Sequence, residues 1–512
     1  MATVYSLVCW GGRTGKTVTL TIASPCVVTS TNHGLRDGTG LVFSTTGALP
    51  TGITAGTTYY TRYVAANTWH LYDTEAHAKD TGSTTGRINT SGTQSGTHTA
   101  KSRLMLDYFD QYPGRWGDAG SERCYDSLQT FQSTRVSNAN QYIAEVCELG
   151  EAFDDYYTSM LTLNIPASEV LICPKIDGVK TTAWHGGIYG AGYRGMLKAE
   201  LYDAALKITG VYHTVRDISF CLIGNNCHGV QLYGIFNDLL NAFIYRIAGS
   251  GQKGLTVFGT AAKAINCVVV GIQGQGILLG QYYGKNQIVA GCLVAKCSEK
   301  GISSSSESSG GFIYNNISIG NATNWSAIPS GLVGAGYNCG ASGDAPWYTT
   351  TDTSIKTLTA DNTSFVDYTG NDFRPASESA PQVDAATVIL RIEESDIAGN
   401  EKPNYNNGGV EAWDCGPYEF DHGYGNHPAT ATISLSNIVS GSRVLITRDD
   451  TSAVLYNDVP GTSLSLSTSY IGAFTVIIRK ASASPYYREF TAGGTTVADQ
   501  TTTIQALQQL DE

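Results

Sequence analysis

The chain is short of charge. Asp, Glu, Lys and Arg make up 15% of its 512 residues, well below the quarter or so of an average globular chain. What charge there is leans acidic, 44 against 32, for a net −12. No run of Lys and Arg is dense enough to track phosphates, so neither nucleic acid nor an anionic membrane is an expected partner. No apolar stretch approaches the ~18 residues of a membrane span. The opening MATVYSLVCWGG lacks a basic segment leading into an apolar one, so no secretory signal is expected. The 12 cysteines contain no CxxC pair, which points to synthesis in reducing cytosol rather than to a disulfide framework or a zinc site. Cys221, Cys267 and Cys292 lie inside apolar runs and read as small core hydrophobes. GGRTGKT at 11–17 puts Trp10 where a phosphate loop needs its first Gly. Cys221, Cys227 and His228 lack zinc spacing, the nine His are dispersed without a Ser/His/Asp grouping, and no D-x-D-x-D-G calcium loop occurs. No metal or cofactor is expected.

What the chain has is Gly, 58 residues of it, with 30 Tyr and abundant Thr, Ser and Asn. That mixture describes turn-rich β structure under a neutral, hydroxyl-bearing surface. A period runs through it. HGVQLYG, KGLTVFG, QGILLGQ and KGISSSS each place Gly before an aliphatic, at Gly229, Gly254, Gly276 and Gly301. Strand-like runs fall between them, and no helical pattern intervenes. A repeat of 20–50 residues built only of strands and turns fits a parallel β-helix, each repeat one rung that buries its apolar face only against its neighbours. The recurring Gly, and Asn225, Asn226, Asn315 and Asn316, are expected at tight corners where φ is positive. Substituting Gly254 or Gly276 is then expected to break a corner.

Weaker strand and turn signals extend the repeat from about Leu161 to about Val366. At roughly 4.8 Å per rung this gives a rod of about 40 Å. The expected fold is all-β: a right-handed parallel β-helix flanked by smaller β domains. The division reads as a β module at 1–103, an opening segment with a capping helix at 104–160, the solenoid with its closing element at 161–425, and a β-sandwich at 426–512, where apolar residues alternate with period 2.

Four segments add a resemblance. NDFRPASESAPQVDAATV (371–388) with DIAGNEKPNYNNGGVEAWDCGPYEFD (396–421) resembles the closing element of right-handed parallel β-helix proteins. Asp384, Asp396, Gly399, Asn400, Pro403, Asp414, Gly416, Tyr418 and Glu419 carry the likeness. Lys402, Cys415 and Pro417 depart from it. Residues 21–78 are similar to a β module of bacteriophage virion proteins, through His33–Leu35, Thr46–Gly52, Gly56–Tyr60 and Asn67–Leu71. Residues 123–155 resemble the opening strand and helix of viral β-helices, and 429–490 resembles C-terminal sandwiches of phage structural proteins. The resemblance implies a virion component of a tailed phage, a homotrimer, docked on other virion proteins through its N-terminal module.

Such proteins often cut surface polysaccharide with paired carboxylates, which must lie roughly 5–10 Å apart. Candidates are Asp177, Glu200 and Asp203 in the early rungs and Asp217 and Asp238 in the clear ones. Glu299 and Glu307 fall at a Ser-rich turn. The dense set Glu145, Glu148, Glu151, Asp154 and Asp155 reads as a solvated helix face or loop. Trp184, Tyr189 and Tyr193, in or beside GGIYGAGYRG, are the candidate sugar-stacking aromatics. With no catalytic motif, the sequence reads first as an adhesive spike or fibre that meets a host-surface glycan. The alternatives are a capsid-surface decoration and a depolymerase acting as a hydrolase or lyase.

Overall fold

The computed structural model describes residues 3–31, 33–117, 123–134, 141–148, 161–164, 169–176, 179–181, 185, 194–197, 204–222, 224–280, 285–304, 311–326, 334–341, 356–377, 379–383, 396–398, 404–405, 411–412, 414–418, 431–438, 440, 442–448, 454–458, 462–468, 472–480, 490–496 and 501–505. They form two compact units. One holds residues 1–402 and 413–419, the other 403–412 and 420–512.

The larger unit is a parallel β-helix. Each rung visits three sheets of ten, seven and eight strands. In one rung, Ser219–Leu222 belongs to the eight-stranded sheet, His228–Leu232 to the seven-stranded and Asp238–Leu240 to the ten-stranded. Like residues then stack. Leu206, Val230, Leu255, Ile277 and Ile302 form one parallel column in register, and none exceeds 1% exposure. Ile208, Leu232, Val257 and Leu279 form a second. Each such burial is worth about 1.5–3 kcal/mol, which explains why the rungs hold only as a stack.

The corners are conformational devices. Between the ten- and eight-stranded sheets one residue per rung has positive φ: Asp217, Asn241, Asn266, Gly291, Asn315 and Tyr337. Asn and Asp bear this at low cost because their short polar side chains bond locally. Asn316, one residue past this corner, accepts from the Cys292 N–H at 2.9 Å and donates to the Val289 carbonyl at 3.0 Å. Asn226 also has positive φ, and Asn225 accepts from Ser250 N–H at 2.9 Å.

The recurring glycines are not corner residues, and this corrects the sequence expectation. Gly229, Gly254, Gly276 and Gly301 lie inside strands of the seven-stranded sheet. A Cβ at Gly229 would stand 2.6 Å from Ile244 Cγ2, and those at Gly254, Gly276 and Gly301 would strike Val269, Val294 and Ser318. Those four partners are themselves one stacked column of the eight-stranded sheet. Here the two sheets approach too closely for any side chain.

The outer face of the eight-stranded sheet is covered. Phe243, Tyr245, Val268, Leu293 and Ile317 pack against Phe365, Phe373, Ile397, Cys415 and Tyr418 of the closing segment.

The N-terminal module begins later than residue 1. The closed barrel comprises Lys16–Leu20, Val27–Thr29, Gly40–Thr45, Thr58–Ala65, Thr68–Tyr72 and His98–Ser102. Thr3–Cys9 is a solenoid strand, running parallel between Cys124–Tyr125 and Gln141–Glu148. The ten-stranded sheet thus begins before residue 161. Short helices, Arg103–Gln111 and Leu128–Thr134, lie between the barrel and Gln141–Glu148. Cys9 and Cys147 are joined by a disulfide, a departure from the all-thiol expectation, while Cys221, Cys267 and Cys292 are free and buried.

In the smaller unit a three-stranded and a four-stranded sheet enclose Ile433, Leu435, Val444, Ile446, Phe474, Val476 and Ile478. No described helix is long and apolar enough to cross a membrane.

Candidate binding face on the seven-stranded sheet

Of the residues singled out from sequence, Asp177, Glu200, Asp203, Trp184, Tyr189 and Tyr193 lie outside the described residues, as do Glu151, Asp154, Asp155 and Glu307. Asp217 and Asp238 are described, and they do not form a pair. The register sets Asp238 beside Thr214 and Asp217 beside the Asn241 corner. That places them at opposite ends of their strands, about 11 Å apart across one rung step. Asp217 is buried and fully engaged: Oδ2 meets Arg216 Nε at 2.8 Å and Lys175 Nζ at 3.3 Å, and Oδ1 accepts from Asn241 Nδ2 at 2.9 Å. Burial pushes its pKa up, but the two cations and the hydrogen bonds outweigh burial and hold it below the usual carboxylate value. It is an ionised corner fastener. Asp238 is drawn the other way: burial raises its pKa, and Lys263 at 3.3 Å only partly opposes this.

The acidic set near 150 is also corrected where it is described. Glu145 and Glu148 lie on a strand, not a helix. Glu145 is 2% exposed, clamped by Arg115 at 2.6 Å and by Trp116 Nε1 at 2.8 Å. Among the described residues no group of three or more His, Cys, Asp or Glu is placed to hold a metal.

The outer face of the seven-stranded sheet is different in kind. Its strands are Leu161–Leu163, Ala204–Ile208, His228–Leu232, Gln252–Val257, Gly274–Leu279, Lys300–Ser304 and Thr323–Trp325. Two further columns alternate with the inward ones. His228, Lys253, Gln275 and Lys300 precede the inward glycine column, the last three half-buried. Lys207, Gln231, Thr256, Leu278 and Ser303 alternate with the two apolar columns; Lys207 is half-buried and the other four are buried. These strands carry Lys207, Lys253, Lys300 and His228 and not one Asp or Glu, in a chain of net charge −12. Among the described residues no carboxylate pairs with any of the three lysines. His228 is 8% exposed, and its Nδ1 is buried without a hydrogen bond. Burial, then the charges of Lys253 and Lys207, push its pKa down to about 4, so the ring is neutral.

Aromatic residues border this face. Lys207 Nζ stands 4.6 Å over the Tyr233 ring, and Tyr233 meets Phe258 edge-on at 5.0 Å. At the turn toward the ten-stranded sheet, Tyr212 and Phe236 stack in parallel, 5.1 Å apart and within 2°. Both rings are exposed, 56% and 46%, and both residues have positive φ, 62° and 56°. Ala261 and Asn286 continue that column of positive φ. A bulky side chain in this conformation costs about 1–2 kcal/mol. Val211 and Ile235 beside them are exposed as well.

Sequence reasoning missed this group. The signal was there: carrying the rung repeat past the aliphatic positions brings VYH at 211–213 onto IFN at 235–237.

No protein-family model matches the chain, and no curated protein matches it. Two solved structures share likeness. One is pectate lyase Pel9A, at 14% identity and TM-score 0.31, covering 58% of this chain and 92% of that one. The other is the Dettilon tailspike protein, at 10% identity and TM-score 0.19, covering 73% of this chain and 78% of that one.

Proposed function

We propose that this chain is a glycan-binding spike or fibre of a phage virion, and that it meets the host surface with the outer face of its seven-stranded sheet and the adjoining aromatic corner. One observation carries the reading. Tyr212 and Phe236 stack in parallel with both rings in solvent, on a corner whose positive φ the next rungs meet with Ala261 and Asn286. The corner needs the backbone conformation and not the rings, so two exposed rings there point to function. Exposed rings with polar neighbours suit sugars, whose apolar faces stack on them while their hydroxyls find hydrogen bonds. The likeness of the flanking segments to phage virion proteins supports the virion setting, with the N-terminal barrel as the dock and a homotrimer as the assembled form. Binding is proposed rather than cleavage because, among the described candidate carboxylates, Asp217 is spent on a corner and does not pair with Asp238.

The test is the double variant Tyr212→Asn, Phe236→Asn, measured by biolayer interferometry on immobilised bacterial surface polysaccharides. Asn tolerates positive φ, so the variant melts at or above the wild-type temperature while affinity falls at least about tenfold, the loss of one or more stacking contacts. Wild-type affinity in the double variant sinks the reading.

A further inference from the structure

We infer that the glycan recognised on this face is acidic, with its carboxylates seated on the lysines of the seven-stranded sheet. The inference rests on the reading above and deepens it. Its ground is the charge pattern. Forty-four acidic residues outnumber 32 basic ones over the chain, yet this sheet collects three lysines and no carboxylate. Elsewhere Lys79 pairs with Glu75, Lys175 with Asp217 and Lys263 with Asp238. Lys207, Lys253 and Lys300 have none among the described residues.

Geometry matches a polymer rather than a lone ion. Lys253, Gln275 and Lys300 stack in register on consecutive rungs, so the two ammonium groups recur about 9.6 Å apart along the rod axis, with an amide between them. Lys207 joins them from the neighbouring column, its ammonium lying over Tyr233. A sugar ring at the edge of exposed Tyr233, which rests on buried Phe258, would bring a ring carboxylate within reach of Lys207. A neutral glycan would satisfy the aromatic groups and leave three ammonium groups facing nothing. Nucleic acid is a poor fit, since three lysines and no arginine on the face cannot neutralise a phosphate backbone.

The experiment uses the full chain on an array of bacterial polysaccharides printed in two forms, native and with carboxyl groups reduced to alcohols. Sulfated and phosphorylated polysaccharides are included. The expected result is binding to native carboxylate-bearing polysaccharides that drops at least tenfold on reduction and weakens as salt rises from about 0.05 M to about 0.5 M. Each charge-assisted contact is worth about tenfold in affinity. Lys253→Gln with Lys300→Gln then loses about a hundredfold, and Lys79→Gln, on the barrel, loses nothing. The native-versus-reduced arm needs no variant, so a folding defect in the double variant cannot mask the answer. Equal binding to the reduced forms overturns the acidic assignment and leaves glycan binding standing. Preference for sulfate or phosphate over carboxylate overturns the assignment of the anion. Dissociation of the assembled protein in Lys253→Gln, Lys300→Gln would reassign the lysines to an interface between copies. No binding to any polysaccharide in either form removes the glycan reading itself.

Discussion

The glycine column permits a sharp test of the solenoid's internal geometry. A Cβ on Gly254 would stand 2.7 Å from the Gly276 carbonyl oxygen and closer still to Val269 Cγ1. Carbon contacts settle at about 3.5–4.0 Å, so something must move by about 1 Å. Neither neighbour is free. The Gly276 carbonyl belongs to the strand that pairs with this one, and Val269 is fully buried in a stacked column. Overpacking a rigid core costs about 1–3 kcal/mol, and the upper end applies where backbone is struck. Gly254→Ala therefore loses about 3 kcal/mol. Because rungs depend on their neighbours, that loss is felt along the stack. For a solenoid body of about 200 residues it lowers the melting temperature by about 6–12 °C. Gly271→Ala is the internal comparison. Gly271 has φ of 68° and nothing within 4 Å of its would-be Cβ, so it meets backbone strain alone. The loss there is about 1 kcal/mol after the entropy gained by replacing Gly. Glu299→Gln, on an exposed side chain, leaves the melt unchanged. Differential scanning calorimetry of the three variants gives the order. If Gly254→Ala melts with the wild type, or costs less than Gly271→Ala, the narrow-section account of the glycines is wrong.

Asn316→Ala strips the partners from the Cys292 N–H and the Val289 carbonyl, both inside the solenoid. A loss of about 3 kcal/mol in urea unfolding is expected, against under ~1 kcal/mol for Asn225→Ala on the exposed turn; equal losses would refute a structural role for the buried amide. Acid should weaken the fold through its buried histidines. His185, His213 and His228 are buried, which pushes each pKa down from 6.5 to about 4. The unfolded chain takes up protons below about pH 6.5 while the folded chain does not, so stability is full above that pH and declines as pH falls toward 4, by about 3 kcal/mol per ring. A melting temperature that holds level from pH 7.5 to pH 4.5 contradicts neutral burial of these rings.

The solenoid was legible because its physics is periodic. A rung that cannot bury itself repeats its apolar residues, and the spacing of Gly229, Gly254, Gly276 and Gly301 shows that repeat directly. Their role was not legible. A glycine at a positive-φ corner and a glycine in a constricted section look alike in one dimension, and only the opposing column of Ile244, Val269 and Val294 tells them apart. Nor could the sequence show that Thr3–Cys9 crosses the barrel's boundary to pair with Gln141–Glu148, since pairing at that separation leaves no local mark. The candidate binding face was hidden for a related reason. Lys207, Lys253 and Lys300 are scattered along the chain and gather on one face only when the register is known. Asp217 drew notice as a carboxylate, whereas its positive φ and its bond to Asn241 make it a corner residue that happens to be acidic.

A rod of three faces can give only some of them to function. The eight-stranded sheet turns its outer face to the closing segment, where Phe365, Phe373 and Tyr418 make it a second core. The corner it shares with the ten-stranded sheet is taken by Lys175, which pairs with Asp217, and by His185, whose Nε2 meets the Asn241 carbonyl at 2.7 Å. Substitution on either surface breaks packing or leaves a buried charge unpaired, at several kcal/mol. On the seven-stranded sheet Thr256 and Ser303 are likewise buried and bond the Val230 and Ile277 carbonyls, but Lys207, Lys253 and Lys300 are half-buried and unconstrained by any ion pair among the described residues. Leu206, Val230, Leu255 and Ile277 fix the strand from inside, and the lysines between and beside them bear on nothing that holds the rung together. On the proposed reading, stability and recognition are written on opposite sides of the same strands: the inner columns keep the rod, and the half-buried lysines outside them can change without breaking it.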